Sequence, residues 1–217
     1  MTISYAITVS TELEEIMNLI PFLYSIKRKE DEICVLLDKP KASQGLIDLL
    51  YKYSSNDYIK LKESAFNNHF ADWKNELNKI CSGDYIFQID ADELPNEELL
   101  EALPGILSNS DSDVKLTPRV NIVEGITPQH LQMWGWKQNN KGWVQFPDYQ
   151  WRIYKNSPDI KWKNKIHEVL DGYKNYANLP ELEEYCLYHP KTVERQEKQN
   201  NYYNTSYLFL YFLYPLK

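Results

Sequence analysis

Cysteine is scarce in this sequence of 217 residues, and its three cysteines stand far apart, at Cys34, Cys81 and Cys186. An odd number of cysteines without paired spacing argues against a disulfide framework and against a zinc site. Such usage fits a reducing compartment, so we expect a cytoplasmic protein.

The sequence also lacks dense basic blocks, an export signal and a long apolar run. A formal net charge of −7 without a Lys/Arg block argues against a duplex nucleic-acid surface, so we expect no nucleic-acid partner. Residues 1–4 carry no basic region ahead of a long apolar core, which argues against a signal peptide. The apolar residues 207–214 are too few to span a bilayer, which needs about 20 residues. They dock on the domain, continue into a further segment or touch a membrane surface.

Glycine is rare as well, and its placement rules out two nucleotide-binding motifs. The seven glycines form neither a Gly-x-Gly-x-x-Gly turn nor a Gly-x-x-x-x-Gly-Lys-Ser/Thr loop. Neither a dinucleotide-binding fold nor a P-loop therefore explains a nucleotide site here. What the chain does have is 43% hydrophobic and 25% charged residues, which is typical of a folded domain. It also has 17 tyrosines and 6 tryptophans, whose rings often line sugar or base sites.

Strand-like and helix-like segments alternate through the first half of the chain. The strand-like runs are residues 4–10, 32–38, 58–61 and 85–89, and the helical segments are residues 13–20, 44–53 and 69–81. We expect Thr11 to cap the first helix and Pro21 to kink or end it. The alternation predicts an α/β fold with a mostly parallel sheet flanked by helices. Ser10, Asp38 and Asp92 then lie along one edge of that sheet.

The fourth strand leads into a cluster of acids. Gly83 is expected to end the preceding helix, and residues 85–89 are typical of a strand buried on both faces. Asp90, Asp92 and Glu93 follow within four residues. Clustered carboxylates repel one another, and Mg²⁺ or Mn²⁺ suits an oxygen site that also binds phosphates. The alternative for this motif alone is an acidic loop that caps the next helix.

The second half of the chain follows a different pattern. A helix over residues 96–107 precedes a strand-like stretch, residues 114–123, which Pro118 interrupts. Residues 131–154 hold four tryptophans among Gly, Asn and Gln, which predicts a mixed, aromatic-rich segment rather than a second parallel half. A polar helical segment begins at Thr192.

Together these segments resemble glycosyltransferase family 2, whose members have the A-type fold. The matching motifs are TVSTE at residues 8–12, Asp38, DWKN at 72–75, SGDYIFQIDADE at 82–93, WRIY at 151–154, IKW at 160–162, IHE at 166–168 and YHP at 188–190. Their order is that of small bacterial and phage-like members. The chain departs from the family at Lys74-Asn75, where Arg-Asn is usual. Lysine in place of arginine replaces a planar, two-pronged contact with a point charge.

The resemblance implies a metal-dependent inverting glycosyltransferase. Its expected donor is a UDP-sugar, and its acceptor is a hydroxyl group of a glycan, a lipid-linked molecule or another compound. Thr8 and Ser10 would flank the nucleobase, and Asp38 would hydrogen-bond the nucleoside. Lys74 would lie near the nucleotide, and Asp90 would reach the ribose or a metal-bound water.

The resemblance also implies a metal site and a catalytic base. Asp92 would ligate the Mn²⁺ or Mg²⁺ that bridges the diphosphate, and His189 would complete the site unless it is only a solvated loop residue. Inverting transfer needs a carboxylate that takes the acceptor proton, and Glu168 is the expected base, with Asp148 as the alternative. If their segment is extended, only one of His167 and Glu168 can enter the site.

The resemblance also suggests how the chain is organised. We expect residues 1–217 to form one domain, with a nucleotide-sugar-binding half (1–107), an acceptor-side half (108–191) and a C-terminal helical extension (192–217). Trp134, Trp136 and Trp143 are expected near the acceptor, although each alone could pack in the core.

Three other functions compete with this interpretation. A nucleotidyltransferase would normally show a Gly-rich, basic loop after the first strand, and residues 8–15 contain neither Gly nor Lys. A non-catalytic nucleotide-sugar-binding protein of the same fold remains an open alternative. An aspartyl phosphatase requires its Asp pair after the first strand, an order that this chain does not follow.

Overall fold

A computed structural model describes residues 1–206 of the chain, with side chains described up to residue 202. The apolar residues 207–214 and their expected role lie outside this range. No helix within the described range combines the length and apolarity that crossing a membrane requires.

Strands and helices alternate through the first half, as the sequence predicts. The strands are β1 (Ile3–Val9), β2 (Glu32–Asp38), β3 (Lys60–Ser64), β4 (Tyr85–Asp90), β5 (Leu94–Pro95), β6 (Val114–Thr117), β7 (Arg119–Glu124), β8 (Gln150–Lys155), β9 (Lys161–Lys163), β10 (Val169–Asp171), β11 (Tyr176–Asn178) and β12 (Leu187–Thr192). The helices are α1 (Leu13–Ile26), α2 (Gln44–Ser55), α3 (Phe70–Asn78), α4 (Glu97–Ser108), α5 (Pro128–Trp134) and α6 (Val193–Ser206).

The main sheet has the strand order β11-β6-β8-β4-β1-β2-β3. Strands β1 to β4 run parallel to one another, and β11 runs parallel to β6. Strand β8 is antiparallel to both of its neighbours, β4 and β6. The amino end of β8 therefore lies at the same edge as the carboxyl ends of β1, β2 and β4, which is where a functional site forms in such sheets.

The central strand β4 is buried on both faces, as its composition predicts. Phe87 and Ile89 pack on one face in a core cluster with residues of α1, α2 and α4. Ile86 packs on the other face with residues of α3, β9 and β10. A strand covered on both sides can expose polar side chains only at its end, and Asp90 stands there.

A second, smaller sheet adjoins this edge. It has the order β5-β12-β7, with β12 parallel to β7 and antiparallel to β5. Residues 114–123 are not one interrupted strand, because β6 belongs to the main sheet and β7 to the smaller one. Pro118 stands at the change of sheet, where its missing N–H removes no ladder hydrogen bond from either strand.

The first helix differs from its prediction at both ends. Glu12, not Thr11, is its N-cap, and the Glu12 carboxylate accepts hydrogen bonds from the backbone N–H groups of Ser10 and Thr11 at 2.7 and 2.8 Å. The helix continues through Pro21 to Ile26. Its buried residues stand on both sides of that proline, at Ile16, Leu19, Ile20 and Leu23. Their packing offsets the hydrogen bond that proline removes.

The third helix also ends earlier than predicted. It stops at Asn78, with the C-cap residue Lys79 in the right-handed region, so Gly83 does not end it. Gly83 instead lies against the start of β1, where its N–H donates to Ser4 Oγ at 2.9 Å.

Candidate active site

Two adjoining cavities open at the carboxyl-end edge of the main sheet. The sheet-edge cavity has a volume of about 380 Å³ and is lined by residues that include Thr8, Ser10, Asp38, Asp90 and Asp92. The tryptophan cavity has a volume of about 700 Å³ and is lined by residues that include Trp134, Trp136, Trp151, Trp162, Asp148 and His189. Both cavities share Lys74, Asp90, Asp92, Glu168 and Gln199, which form the boundary between them.

Asp38 holds one wall of the sheet-edge cavity together. Its Oδ1 accepts from the backbone N–H of Phe66 at 3.1 Å, and its Oδ2 accepts from Ser10 Oγ at 3.3 Å. The Lys41 ammonium lies 3.5 Å from Oδ2. Asp38 thereby joins the ends of β1 and β2 to the loop before α3, and the cavity that they border is polar on this side.

Asp90 is the centre of a buried network of charges. Its Oδ2 accepts from Arg152 Nη2 at 2.6 Å, and its Oδ1 lies 3.5 Å from Lys74 Nζ. Burial disfavours the ionised carboxyl, but the charges of Arg152 and Lys74 outweigh burial and hold the pKa of Asp90 well below its usual range. Asp90 is therefore a carboxylate at neutral pH.

Glu93 and Asp148 orient two arginines next to Asp90. Glu93 Oε1 accepts from Arg119 Nη1 at 3.0 Å and from Arg152 Nη2 at 2.6 Å. Asp148 Oδ2 accepts from both Nε and Nη2 of Arg119, at 2.9 and 2.7 Å. Burial opposes ionisation of Asp148, but Arg119 and a hydrogen bond from Asn121 lower its pKa overall. These charge-assisted hydrogen bonds hold both guanidinium groups in position, Arg119 through three nitrogens and Arg152 through Nη2 alone.

Asp92 and His189 meet at the boundary of the two cavities. His189 Nε2 lies 3.2 Å from Asp92 Oδ2, and His189 Nδ1 lies 2.9 Å from Asn121 Oδ1. The other end of the Asn121 amide donates to Asp148 Oδ2 at 2.7 Å, so Oδ1 faces the histidine and the proton lies on Nδ1. In neutral His189, the lone pair of Nε2 therefore points towards Asp92.

This arrangement fits a divalent cation with two protein ligands. A carboxylate and an imidazole whose other nitrogen is hydrogen-bonded form an ordinary ligand pair for Mn²⁺, and substrate phosphates commonly complete the coordination. Within residues 1–202, no group of three His, Cys, Asp or Glu side chains converges on one point. Arg195, on α6, also reaches Asp92 Oδ2, at 3.3 Å.

Glu168 is carried to the site by a hairpin. Strands β9 and β10 pair antiparallel, and residues 164–168 connect them. Two hydrogen bonds of 2.9 Å join the Asn75 amide to the backbone of Trp162 and fix the hairpin on α3. Lys74 Nζ lies 2.7 Å from Glu168 Oε1 and 4.6 Å from the centre of the Trp162 ring. Burial would raise the pKa of Glu168, but attraction to Lys74 lowers it overall.

Comparisons with known proteins identify the family. The sequence model of glycosyl transferase family 2 matches residues 8–176, more than half of the chain. The chain belongs to glycosyl transferase family 2. No curated protein matches it.

Solved structures of the S. aureus protein TarS share the fold. The chain aligns with TarS at a TM-score of 0.62 and 16% identity, over 88% of this chain and 37% of TarS. It aligns with TarS 1–349 in complex with UDP-GlcNAc at a TM-score of 0.61 and 18% identity, over 88% of this chain and 59% of that one. It aligns with TarS 1–349 in complex with UDP at a TM-score of 0.62 and 16% identity, over 91% of this chain and 63% of that one. The chain thus spans less than two thirds of the length of these chains. The structural match confirms the predicted A-type α/β fold.

Most of the family 2 residues predicted from sequence come together at this edge. Thr8, Ser10, Asp38, Lys74, Asp90, Asp92 and Glu168 all line the sheet-edge cavity, and His189 reaches Asp92 from the smaller sheet. An extended segment would place only one of the His167 and Glu168 side chains in the site, but this segment is not extended. His167 has a left-handed backbone (φ 52°), and both His167 and Glu168 line the tryptophan cavity. The strand periodicity is lost in the hairpin loop.

The tryptophans divide into two groups. Trp134 and Trp136 line the tryptophan cavity, with ring centres 4.9 Å apart in an edge-to-face contact. Trp143 is 8% exposed and packs in a core cluster with Val120 and Cys186. Trp143 therefore takes the core role that sequence reasoning held open for each tryptophan.

Sequence reasoning found Lys74 but missed the two arginines of the site and Asn121. Arg152 lies in the family 2 motif at residues 151–154, but nothing in that motif indicates that it pairs with Asp90 and Glu93. Arg119 and Asn121 follow Pro118 without any local motif. Buried acids at the end of β4 were the available signal, because such charges require buried cations close by.

Proposed function

We propose that this chain is a glycosyltransferase that binds a UDP-sugar and transfers its sugar, with inversion, to a hydroxyl acceptor. One observation carries the proposal: the polar wall of Ser10 and Asp38 and the acids Asp90, Asp92 and Glu168 line one cavity. That cavity adjoins a second, tryptophan-lined cavity through the acids. A donor in the first cavity and an acceptor in the second would meet at this boundary.

The donor side follows from the cavity walls. Thr8 and Ser10 flank the nucleobase, and Asp38 orients the nucleoside. Lys74 and Asp90 line the same cavity, and in this proposal they lie near the ribose and the diphosphate. The TarS complexes contain UDP and UDP-GlcNAc, which supports a uridine nucleotide as the donor carrier.

Asp92 and His189 would hold a Mn²⁺ or Mg²⁺ ion. The ion would supply positive charge that stabilises the departing diphosphate. Asn121 keeps the His189 proton on Nδ1 and leaves Nε2 free for the ligand role. With Asp90, Asp92 then forms a functional Asp-x-Asp motif.

Glu168 is the proposed base, and Asp148 is a positioning residue. Both carboxylate oxygens of Asp148 accept hydrogen bonds, Oδ2 from Arg119 and Asn121 and Oδ1 from Gln150 at 2.9 Å. Glu168 borders both cavities, and its lowered pKa leaves it ionised at neutral pH, which is the form that a base for the acceptor hydroxyl requires.

The remaining assignments are also proposals. Residues 1–107 would bind the donor, residues 108–191 would form the acceptor side, and residues 192–217 would extend the domain. The acceptor is a glycan, a lipid-linked molecule or another hydroxyl compound. The three cysteines are free thiols, which supports a cytoplasmic location.

Calorimetric titration with UDP, with and without Mn²⁺, tests the proposal. We expect Mn²⁺ to tighten UDP binding, and Asp92→Asn to weaken it by at least roughly tenfold in the presence of Mn²⁺, because a ligand of the ion is lost. Asp48→Asn, an identical change at an exposed site on α2, is the matched control and should bind UDP as the unmodified protein does.

The possible outcomes separate the competing functions. UDP binding that ignores Mn²⁺ would contradict the metal site and favour a non-catalytic binding protein. Metal-dependent binding without any turnover of UDP-sugars would contradict the transferase assignment. No UDP binding under either condition would contradict the donor assignment itself.

A further inference from the structure

Two of the three cysteines meet in the fold, although they lie far apart in the sequence. Cys34 belongs to β2, and Cys81 belongs to the loop between α3 and β4. Both pack in the core cluster between the main sheet and α3. Cys34 is fully buried, and Cys81 is partly exposed. Cys186 belongs to a different cluster.

The residues on both sides of Cys81 lie against the Cys34 thiol. Cys34 Sγ is 3.6 Å from the carbonyl oxygen of Ile80, the residue before Cys81. It is also 3.5 Å from Glu32 Oε1, and this oxygen accepts from the N–H of Ser82, the residue after Cys81, at 2.6 Å. These contacts place the Cys34 sulfur next to the residue that lies between Ile80 and Ser82.

The two thiols differ in their access to solvent and in their protonation. A hydrogen bond with the Cys81 thiol, together with burial, raises the pKa of the Cys34 thiol, so Cys34 stays protonated at neutral pH. Cys81 is the one of the two that solvent reaches. An oxidant in solution therefore meets Cys81 first, and Cys34 stands beside the product of that reaction.

We infer that Cys34 and Cys81 form a reversible disulfide when the protein meets a small-molecule disulfide such as oxidised glutathione. Cys81 loses its proton and attacks the S–S bond of the oxidant, which forms a mixed disulfide and releases one glutathione thiolate that takes up this proton. The Cys34 sulfur then attacks the Cys81 sulfur, and its proton passes to the second departing glutathione. The two cysteines lose two electrons and two protons, and one oxidised glutathione becomes two reduced molecules.

This bond would tie the carboxyl end of α3 to the main sheet. The cross-link closes a loop over residues 34–81, which contains α2, β3 and α3. Closing such a loop restricts the unfolded chain and so stabilises the folded one. We expect the oxidised protein to melt about 5–10 °C higher than the reduced protein. In a reducing compartment the pair would remain as two thiols.

The test uses the intact protein, first reduced and then incubated with oxidised glutathione. Free thiols are alkylated with iodoacetamide in urea, and mass spectrometry of the whole protein and of its peptides locates the modified cysteines. We expect alkylation of Cys186 alone and a peptide pair that is cross-linked through Cys34 and Cys81. Dithiothreitol should restore alkylation at all three positions and return the melting temperature to that of the reduced protein.

Three variants make the test selective. Cys81→Ser, at the partly exposed position, should abolish the cross-link and the rise in melting temperature. Cys34→Ala should do the same and leave Cys81 with bound glutathione, and if this buried substitution prevents folding, Cys81→Ser decides the question. Cys186→Ser is the matched control, because it removes a cysteine from another cluster and should leave the cross-link intact.

The inference stands apart from the proposed function, since UDP and metal take no part in the test. Alkylation of all three cysteines after oxidation would overturn it. Glutathione that stays on Cys81 of the unmodified protein, or a cross-link that includes Cys186, would overturn it as well. An oxidised form that melts no higher than the reduced form would contradict the stabilising link between α3 and the sheet.

Discussion

At the scale of single residues, the site shows how similar carboxylates acquire different tasks. Asp90 and Asp148 are committed to arginines, and Asp92 faces a histidine. Glu168 contacts a single lysine, Lys74, through Oε1. A carboxylate that accepts from several fixed donors is stabilised as an anion and is a poor proton acceptor, which supports the proposal that Glu168 rather than Asp148 is the base.

Glu168→Gln tests this assignment directly. Glutamine keeps the size of the side chain but cannot accept a proton, so we expect transfer to fall by roughly 10²- to 10⁴-fold while UDP affinity is unchanged. The ordinary pKa of a glutamate is 4.5, and the pKa of Glu168 is lowered from it. The Glu168 carboxylate therefore stays ionised when the pH falls to 4.5. The acid limb of kcat/KM in the unmodified protein should therefore lie below about pH 4.5.

Asp148→Asn provides the comparison. It removes the charge that holds Arg119, so it should lower the melting temperature. An undiminished transfer rate in Glu168→Gln, together with a large loss in a folded Asp148→Asn protein, would move the base to Asp148.

At the scale of elements, the strands were more predictable than the ends of the helices. Residues 32–38 and 85–89 could be predicted as strands from their own composition, because runs of aromatic and β-branched residues indicate buried strands. Of the two effects expected of Pro21, a kink or an end, the end does not occur, because α1 runs on to Ile26 and its buried residues on both sides of the proline pack against the core. Pro118 does mark a boundary, yet only the three-dimensional structure reveals that the boundary lies between two sheets. Tertiary packing decides such cases, and local sequence does not record it.

The close approach of β1 and β4 depends on Gly83. A Cβ at this position would lie 2.7 Å from the backbone nitrogen of Ser4 and 2.9 Å from the carbonyl carbon of Ile3. Backbone atoms cannot yield as a flexible side chain can, so we expect Gly83→Ala to lower the free energy of unfolding by about 1–3 kcal/mol. Urea denaturation measures this change.

Gly105 supplies the matched control. It lies inside α4, and an added Cβ there would meet no atom within 4 Å. Gly105→Ala should raise the free energy of unfolding by about 0.5–1 kcal/mol, because alanine favours helix. Equal effects of the two substitutions would mean that the close approach at Gly83 does not exist in solution.

At the scale of the whole molecule, the site is assembled from distant parts of the chain. Asp90 ends β4, Arg152 comes from the antiparallel strand β8, and His189 comes from the smaller sheet. The acids were predictable because they stand next to one another in sequence. The two arginines were not, because an ion pair between residues 62 positions apart, such as Asp90 and Arg152, leaves no local pattern.

The main sheet also has a clamp at its opposite edge, and this clamp makes stability depend on pH. Glu32 accepts from Ser4 Oγ at 2.6 Å and from the Ser82 N–H at 2.6 Å, and it pairs with Lys60. One carboxylate thus joins β1, β2, β3 and the entry to β4. Burial opposes its ionisation, but Lys60 and the serine hydrogen bonds lower the pKa of Glu32 from 4.5 to about 2.

The sign of the pH effect follows from this shift. Because the pKa of Glu32 is lower in the folded protein, its stabilising contribution is complete above about pH 4.5 and is lost as the pH falls towards 2. After allowance for solvent screening, the contribution is about 1–2 kcal/mol. Glu32→Gln should therefore have a lower urea midpoint than the unmodified protein at pH 7. The difference between the two midpoints should be smaller at pH 3. Glu101→Gln, at an exposed site on α4, should do neither. Parallel pH profiles for Glu32→Gln and the unmodified protein would mean that this carboxylate does not link the strands, and the acid sensitivity of the fold would then have to originate in the charge network around Asp90.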